Sequence, residues 1–336
     1  MKNTRRFVKA LALALSAALV LSLTACGGGN NAGSNAGGST PTPAGSGAGS
    51  TGDGQIIYGY TCMQLTNPFH IAMRDEFKKL VEADGNVLLE YDGNMDQQKQ
   101  NDAIDDFISQ GMQVLFLNPV DAEGVQPALE ACKAAGVKVI AVDSNVADAS
   151  LIETYISSDN YIAGQQCGEQ IVKDFPNGCN ITLIENPLAD SVVQRVAGLE
   201  AAIEGTDCKI IDRKSITTLD MVLPNAEDIL TANPDIQVFW GLNDDVSLTI
   251  QGAVESAGRQ NDIKVMSVDG SPSGKTSVAE GGLYATAAQS PVGISDKAYE
   301  CAVAILKGES VDAVYSLPTT LVTPDNVADN DAANWG

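Results

Sequence analysis

The chain has 336 residues, with 20 Lys and Arg against 43 Asp and Glu, which gives a formal net charge of −23 at pH 7. Such an acidic surface repels phosphate backbones and anionic lipid headgroups, so the composition excludes nucleic acid as a partner and excludes charge-driven adhesion to a membrane. The part of the chain that follows the N-terminal segments, about 280 residues, is long enough for two lobes with separate cores.

Residues 1–25 have the features of a secretion signal. A start with four basic residues precedes the apolar stretch "ALALALSAALVLSL", which is too short for a lasting membrane span. The following "LTAC", ending at Cys26, resembles a bacterial lipoprotein signal, which implies cleavage before Cys26 and a lipid on its sulfur. An ordinary secretory signal with a chance cysteine is the alternative. Cleavage would take the net charge from −23 to −27, because four basic residues and no acidic one are removed.

The composition of the next segment, residues 26–54, predicts a disordered linker that follows the lipidated Cys26. From residue 27 onwards it contains 11 glycines and no large apolar side chain. It cannot bury enough surface to repay the entropy of ordering, and as a flexible tether it reaches roughly 30 Å. We therefore expect a globular body held by its lipid anchor alone at the outer face of the cytoplasmic membrane.

From residue 55, short apolar runs alternate with helix-period segments. Runs that are apolar on both faces predict buried parallel strands, and the segments between them predict covering helices. The runs are "IIYGYTC", "NVLLEY", "QVLFLN", "VKVIAV", "ITLIEN", "CKIID", "IQVFWG" and "IKVMSVD". Asn67 and Asp96 are predicted N-caps, and glycines 111, 136 and 258 are predicted helix ends. The fold class is α/β with doubly wound parallel sheets.

A division near "ISSDN" (156–160) separates two such sheets of four to six strands each, and Asp159 is expected to cap the next helix. In open α/β sheets, ligands bind beyond the carboxyl ends of the strands. Two such edges that face each other across a hinge would form a cleft.

Seven motifs in register carry a family resemblance. They are "TNPFH", "LNPVDAEGV", "VIAVDSN", "YISSDNYIAGQQCGE", "NDDVSLTIQGAVESAG", "VMSVDGSP" and "ATAAQSP". In this order and spacing the chain resembles ribose-type periplasmic binding proteins, the type I substrate-binding components of sugar ABC transporters, over residues 55–323. The resemblance implies three chain crossings, near 158–159, 289–290 and 321. It also implies an N-terminal lobe of residues 55–158 plus 290–320 and a C-terminal lobe of residues 159–289 plus 321–336.

The resemblance further implies a monomer that carries a small sugar to an ABC transporter permease, with no cofactor. A sugar needs charged or amide side chains for its hydroxyls and an aromatic face for its C–H patch. In the first lobe, the matching residues that would contact the ligand are Asn67, Phe69, His70, Asp143 and Ser144. The alternative places Phe69 in the core and His70 in solvent. The family commonly has Arg where Ser144 stands, which argues against ribose itself.

In the second lobe, the resemblance implies ligand contacts from Asn243, Asp269 and Gln289. Arg195 is a weaker candidate, since a structural ion pair is the alternative role. Asp244 is expected to cap its own helix. Two further side chains are interpreted by position: Leu219 stands where many relatives carry a stacking aromatic, and Trp240 lies within a strand and belongs to the core.

Two other patterns in the sequence concern disulfide and metal chemistry. Cys179 and Cys208 precede successive predicted strands, so either a disulfide or two free thiols is compatible with the sequence. The stretch "DGNMDQQKQ" imitates a calcium loop but has Gln97 at the sixth position and Ala103 at the twelfth, so no metal site is predicted.

Three other functions compete with sugar delivery. A hydrolase would need paired carboxylates or a Ser/His/Asp set, and the chain has one histidine, so no enzyme is predicted. The same fold could instead present its ligand to a chemoreceptor or a histidine kinase. The ligand could also be a nucleoside or a signalling furanose.

Overall fold

The computed structural model describes residues 54–331 and 333–335. The predicted signal, the lipidated Cys26 and nearly all of the predicted linker lie outside the described residues. Within the described residues, every helix is too short or too polar to span a bilayer.

The first sheet has six parallel strands in the order β11-β5-β4-β3-β1-β2. Its strands are β1 (Ile57–Cys62), β2 (Val87–Asp92), β3 (Val114–Leu117), β4 (Lys138–Val142), β5 (Thr154–Ser158) and β11 (Val314–Leu317). The central strands β3 and β4 are almost entirely buried, as the apolar runs predict.

The second sheet has six strands in the order β12-β10-β9-β8-β6-β7, and only the edge pair β10–β12 is antiparallel. Its strands are β6 (Asn180–Glu185), β7 (Lys209–Ser215), β8 (Val238–Gly241), β9 (Lys264–Asp269), β10 (Ala285–Ala288) and β12 (Thr320–Val322). The predicted α/β class with two parallel-sheet lobes is confirmed.

Helices cover both faces of each sheet. They are α1 (Pro68–Ala83), α2 (Gln97–Ser109), α3 (Gln126–Ala135), α4 (Asn160–Asp174), α5 (Asp190–Ile203), α6 (Val222–Ala232), α7 (Asp244–Ser256), α8 (Pro272–Glu280) and α9 (Pro291–Leu306). The predicted caps Asn67, Asp96 and Asp159 each accept a hydrogen bond from a first-turn backbone N–H. Their side chains thus satisfy helix-end donors that have no partner inside the helix.

The two lobes are closed on each other. The hydroxyl oxygens of Ser144, after β4, and Ser191, in α5, lie 2.7 Å apart and are hydrogen bonded. Met63 and Val120 of the first lobe are buried among the apolar side chains of the second-lobe core. The carboxyl ends of the strands in both sheets therefore face one shared cleft.

Two glycines let α4 and α5 approach closely, which places α5 at the cleft. A Cβ on Gly164 would lie 1.8 Å from the carbonyl oxygen of Arg195, and a Cβ on Gly198 would lie 1.9 Å from that of Tyr161. No other residue type fits at these distances without moving one helix. The separation of the two helices, and with it the position of Arg195, depends on both glycines.

Candidate ligand-binding cleft

Residues of both lobes line the cleft. The first lobe contributes Met63, Gln64, Asn67, Phe69, His70, Met95 and Asp143, and the second contributes Asn186, Ala189, Ser191, Val192, Arg195, Ile216, Thr217, Thr218, Leu219, Leu242, Asn243, Asp245, Val246 and Asp269. Seven of the nine residues predicted to bind the ligand are in this lining. The other two, Ser144 and Gln289, lie directly behind it, against Ser191 and Asp269 respectively.

The first turn of α1 presents Asn67 and Phe69 to the cleft. The side-chain oxygen of Asn67 accepts from the backbone N–H of Phe69 at 2.8 Å, so the cap itself fixes the side chain at the cleft wall. Phe69 is 3% exposed and lies in contact with both the first-lobe core and the cleft. The two interpretations of Phe69, core residue and cleft residue, describe the same position.

His70 is held by both ring nitrogens. Nδ1 lies 2.9 Å from the carbonyl oxygen of Gln64 and therefore donates, while Nε2 accepts from the side-chain amide of Asn118 at 3.1 Å. Burial lowers the pKa of His70, which fits this neutral tautomer. The ring can offer its face to a ligand, but both of its hydrogen-bonding atoms are already engaged with the protein.

Asn118, which follows β3, also holds Asp143. Its amide nitrogen donates to Asp143 Oδ2 at 2.9 Å, which continues the chain from Gln64 through His70. Asn118 belongs to the motif "LNPVDAEGV", and no role was predicted for it from the sequence. The available signal was its place after "VLFL", since polar side chains at such strand ends converge on the cleft.

Asp143 is poised for a ligand. Its backbone φ is +63°, a left-handed conformation that costs energy for a residue with a side chain. Its Oδ1 is buried and has no hydrogen-bond partner among the described residues. A buried unpaired acceptor is costly, so a donor supplied by a ligand would relieve that cost.

Arg195 is buried at 4% exposure and is fixed by two strong hydrogen bonds. Its Nε donates to Asn160 Oδ1 and its Nη1 to the carbonyl oxygen of Leu242, both at 2.8 Å. Nη1 also lies 3.9 Å from Asp269 Oδ1. The guanidinium therefore combines the two roles that the sequence left as alternatives, a structural partner and a cation at the cleft.

Asp269 ends β9 with φ +132°, another strained backbone position. Burial raises its pKa well above the usual range, and nearby Arg195 offsets this only in part. Gln289 donates to Asp269 Oδ1 at 2.8 Å, while its own side-chain oxygen is buried and unpartnered in the described structure. Gln289 thus orients the carboxyl group from behind.

Asn243, and not Asp244, is the N-cap of α7, and Asn243 also lines the cleft. Asn243 caps α7, accepting from the N–H of Val246 at 3.0 Å, so the expectation that Asp244 caps this helix is wrong. Instead Asp244 is 1% exposed and accepts hydrogen bonds from three neighbours. They are the hydroxyls of Ser267 and Thr286 and the backbone N–H of Ser271. Asp244 joins β9, β10 and the start of α8 behind the cleft.

The neighbouring Asp245 lines the cleft and was missed in the sequence. Burial, with the adjacent Asp244 charge, raises the pKa of Asp245 to about 6. Its place in the first turn of α7, directly after two polar residues at a strand end, was the available signal. The second lobe therefore brings two carboxyl groups to the cleft, those of Asp245 and Asp269.

The aromatic faces of the cleft lie on the first-lobe side. Leu219 lines the opposite wall and is 46% exposed, and Trp240 is fully buried in the second-lobe core as predicted. Aromatic stacking is thus limited to one wall. The six described cysteines are buried free thiols, so of the two alternatives for Cys179 and Cys208 the structure has the thiols.

Two doubly wound lobes, closed over a cleft lined by carboxylates, amides, one guanidinium and an aromatic wall, define a two-lobed solute-binding protein. Among the described residues, no cluster of His, Cys, Asp or Glu is arranged to hold a metal ion.

The periplasmic binding protein domain model matches residues 58–310, and the chain belongs to this family. It is 30% identical over 268 residues to the ribose import binding protein of Bacillus subtilis, covering 79% of this chain and 86% of that protein. An ABC transporter solute binding protein from Mycobacterium smegmatis with bound glycerol superimposes with a TM-score of 0.79 at 30% identity, covering 84% and 98% of the two chains. A Caulobacter myo-inositol binding protein bound to myo-inositol gives 0.78 at 26% identity, also covering 84% and 98%. The predicted resemblance to ribose-type binding proteins is confirmed, and the relatives named here are binding proteins.

Proposed function

We propose that this protein captures a small sugar or a related polyol in the cleft and delivers it to the permease of an ABC transporter. Relatives named for ribose import and for myo-inositol binding support this class of ligand. Binding without catalysis is part of the proposal.

The observation that carries the proposal is the convergence of hydrogen-bonding groups from both lobes. Asp143 enters from the first lobe, and Arg195 and Asp269 enter from the second. Hydroxyl groups both donate and accept, so a polyol can satisfy the carboxylates and the guanidinium together. Phe69 offers an apolar face for the C–H patch of a sugar ring.

The cleft favours an uncharged ligand rich in hydroxyl groups over an acidic one. Its lining has three carboxyl groups, those of Asp143, Asp245 and Asp269, against the single guanidinium of Arg195. Ser144 stands where ribose-type relatives commonly have Arg, and its hydroxyl is hydrogen bonded to the hydroxyl of Ser191. A guanidinium is thereby missing from the first-lobe wall, which argues against ribose as the preferred ligand.

The proposal includes the cellular setting expected from the sequence. Lipid on Cys26 would hold the monomeric protein at the outer face of the cytoplasmic membrane, with the linker as a tether. A ligand that contacts both lobes at once shifts the equilibrium towards the closed form. The permease would recognise this closed form. Loss of membrane association in a Cys26→Ala variant tests the anchor.

A thermal-shift screen against pentoses, hexoses, polyols, disaccharides and nucleosides tests the binding function. A ligand at 100 times its Kd should add about 2.7 kcal/mol of stability. Asp143→Ala and Asn243→Ala should abolish that shift, and incubation should yield no product. A shift with nucleosides alone would replace the sugar class, and undiminished shifts in both variants would refute the assigned cleft.

A further inference from the structure

The segment that follows β12, residues 323–331 and 333–335, is rooted in the second lobe. We call it the bridging segment. β12 pairs with β10, and Asn326 then closes a turn by accepting from the N–H of Thr323 and donating to the carbonyl oxygen of Leu321. The side chain of Asn330 adds a further hydrogen bond, which it donates to the carbonyl oxygen of Asn326 at 2.8 Å. The segment thus leaves the second sheet in a defined direction.

A buried lysine fixes the far part of the bridging segment. Lys275 in α8 is 2% exposed, and its Nζ donates to the carbonyl oxygens of Asp331 and Asn334. Burial lowers the pKa of Lys275, with Asp331 and Asp244 opposing that shift. The Asp331 carboxylate also accepts from the N–H of Ala333 and the side chain of Asn334. A charged donor is rarely buried without such partners, so this anchor is specific.

The anchored segment ends its described course against the first lobe. The indole of Trp335 meets the ring of Phe69 edge-on, with centroids 5.5 Å apart and planes at 81°. Trp335 is half-buried and packs on the first-lobe core, and it is absent from the cleft lining. It therefore contacts Phe69 without lining the cleft itself. The contact joins a segment that follows the second-lobe strand β12 to a residue of the first lobe.

We propose that Trp335 is a positioning residue for ligand binding, which holds the Phe69 ring against the cleft. Trp335 does so in the closed form, because Lys275 ties the bridging segment to the second lobe. The inference rests on the proposed function. Since the aromatic faces of the cleft lie on one wall, the orientation of Phe69 is decisive for a ligand with a C–H face. Closure then brings the ligand and the supporting indole to Phe69 together.

The main test is a double-mutant cycle with D-ribose, D-fructose and myo-inositol as titrants of the full chain. Trp335→Ala should raise the Kd of whichever compound binds by about three- to tenfold, the range of an aromatic pair, through faster dissociation. Trp335→Phe should restore most of the affinity. In a Phe69→Ala background, Trp335→Ala should change the Kd no further, because its effect passes through Phe69. Lys275→Met, which keeps an apolar stem of similar length and removes both hydrogen bonds of Nζ, should reproduce Trp335→Ala.

A measurement without ligand tests the contact itself. Acrylamide quenching of the parent minus that of Trp335→Phe reports on Trp335, since Trp240 is fully buried. Phe69→Ala and Lys275→Met should both increase this quenching. Any one of three results would overturn this inference and leave the proposed function intact. They are equal Kd values in the parent and Trp335→Ala, additive effects in the double-mutant cycle, and unchanged quenching in Phe69→Ala or Lys275→Met. Failure of the parent to bind any sugar or polyol would instead overturn the proposed function.

Discussion

Asp269 gives the sharpest test of the electrostatics of the cleft, through the substitution Asp269→Asn. Asparagine has nearly the same shape as aspartate, so it meets the same backbone strain at φ +132°, and it keeps an oxygen that accepts from Gln289. It removes only the ability to ionise. The variant therefore separates the charge of this group from its shape.

Two effects of opposite sign act on that charge. Burial disfavours the carboxylate, while Arg195 at 3.9 Å favours it. The pKa of Asp269 is raised well above its usual range, so burial is the larger effect. A raised pKa means that the folded state keeps a proton that the unfolded chain releases. The resulting stability is complete below the unfolded pKa and is lost as the pH rises towards the folded pKa.

The size of this effect follows from one proton. While Asp269 stays protonated in the folded state, the parent should lose about 1.4 kcal/mol of unfolding free energy per pH unit relative to the Asn variant. Between pH 5 and pH 6 that difference corresponds to roughly 2–4 °C in Tm for a chain of this size.

Urea unfolding of the ligand-free protein at pH 5 and pH 6 measures the difference directly. Asp105→Asn, at an exposed position on α2, is the matched control for the chemical change itself. Identical pH dependence in parent and Asp269→Asn would refute the reasoning. A variant less stable than the parent at pH 6 would show that the ion pair with Arg195 outweighs burial.

Three further predictions concern other parts of the site. Gly164→Ala should destabilise the protein by about 1–3 kcal/mol in urea unfolding and weaken ligand binding, because the added Cβ overlaps the backbone of Arg195. Gly252→Ala in α7 is the control. Its added Cβ meets no neighbouring atom, so this variant should instead be more stable by about 0.5–1 kcal/mol. Asn118→Ala should weaken binding about tenfold in calorimetry, since it frees His70 and leaves Asp143 without its donor, and unchanged affinity would contradict that role. Asp245→Asn should raise the Tm of the ligand-free protein at pH 7 and not at pH 4. The pKa of the parent carboxyl group is raised to about 6, so this group lowers the stability of the fold as the pH rises through that value. Equal gains in Tm at both pH values would contradict this prediction.

The order of elements and the location of the cleft could be predicted because they depend on local signals. Apolar runs and helix-period segments determine which elements form, and caps such as Asn67 and Asp159 mark where helices begin. A parallel sheet then places every strand's carboxyl end at one edge. Polar residues at those ends, such as Asp143 and Asp269, could therefore be placed near the cleft from position, while their contact with a ligand was implied by the resemblance to ribose-type binding proteins.

The partners of each polar group could not be predicted, because they come from distant parts of the chain. Asp244 accepts from Ser267, Ser271 and Thr286, and nothing near it in sequence distinguishes this role from a cap. Ser144 and Gln289 are each adjacent to the cleft and yet one layer behind it, which is a difference of side-chain direction. His70 has both nitrogens engaged only because Gln64 and Asn118 meet it in space.

The two strained carboxylates occupy corresponding places in the two lobes. Asp143 follows β4 and Asp269 ends β9, each the fourth strand of its sheet in chain order, and both have positive φ. Each is held by one amide side chain, from Asn118 and from Gln289, and each pair keeps a buried acceptor without a partner in the described structure. Of these atoms, Asp143 Oδ1 belongs to a residue that lines the cleft, so a ligand hydroxyl that donates to it removes part of the cost of the empty closed form. Part of the energy that favours closure with a ligand thus comes from a group that the protein leaves unsatisfied in advance.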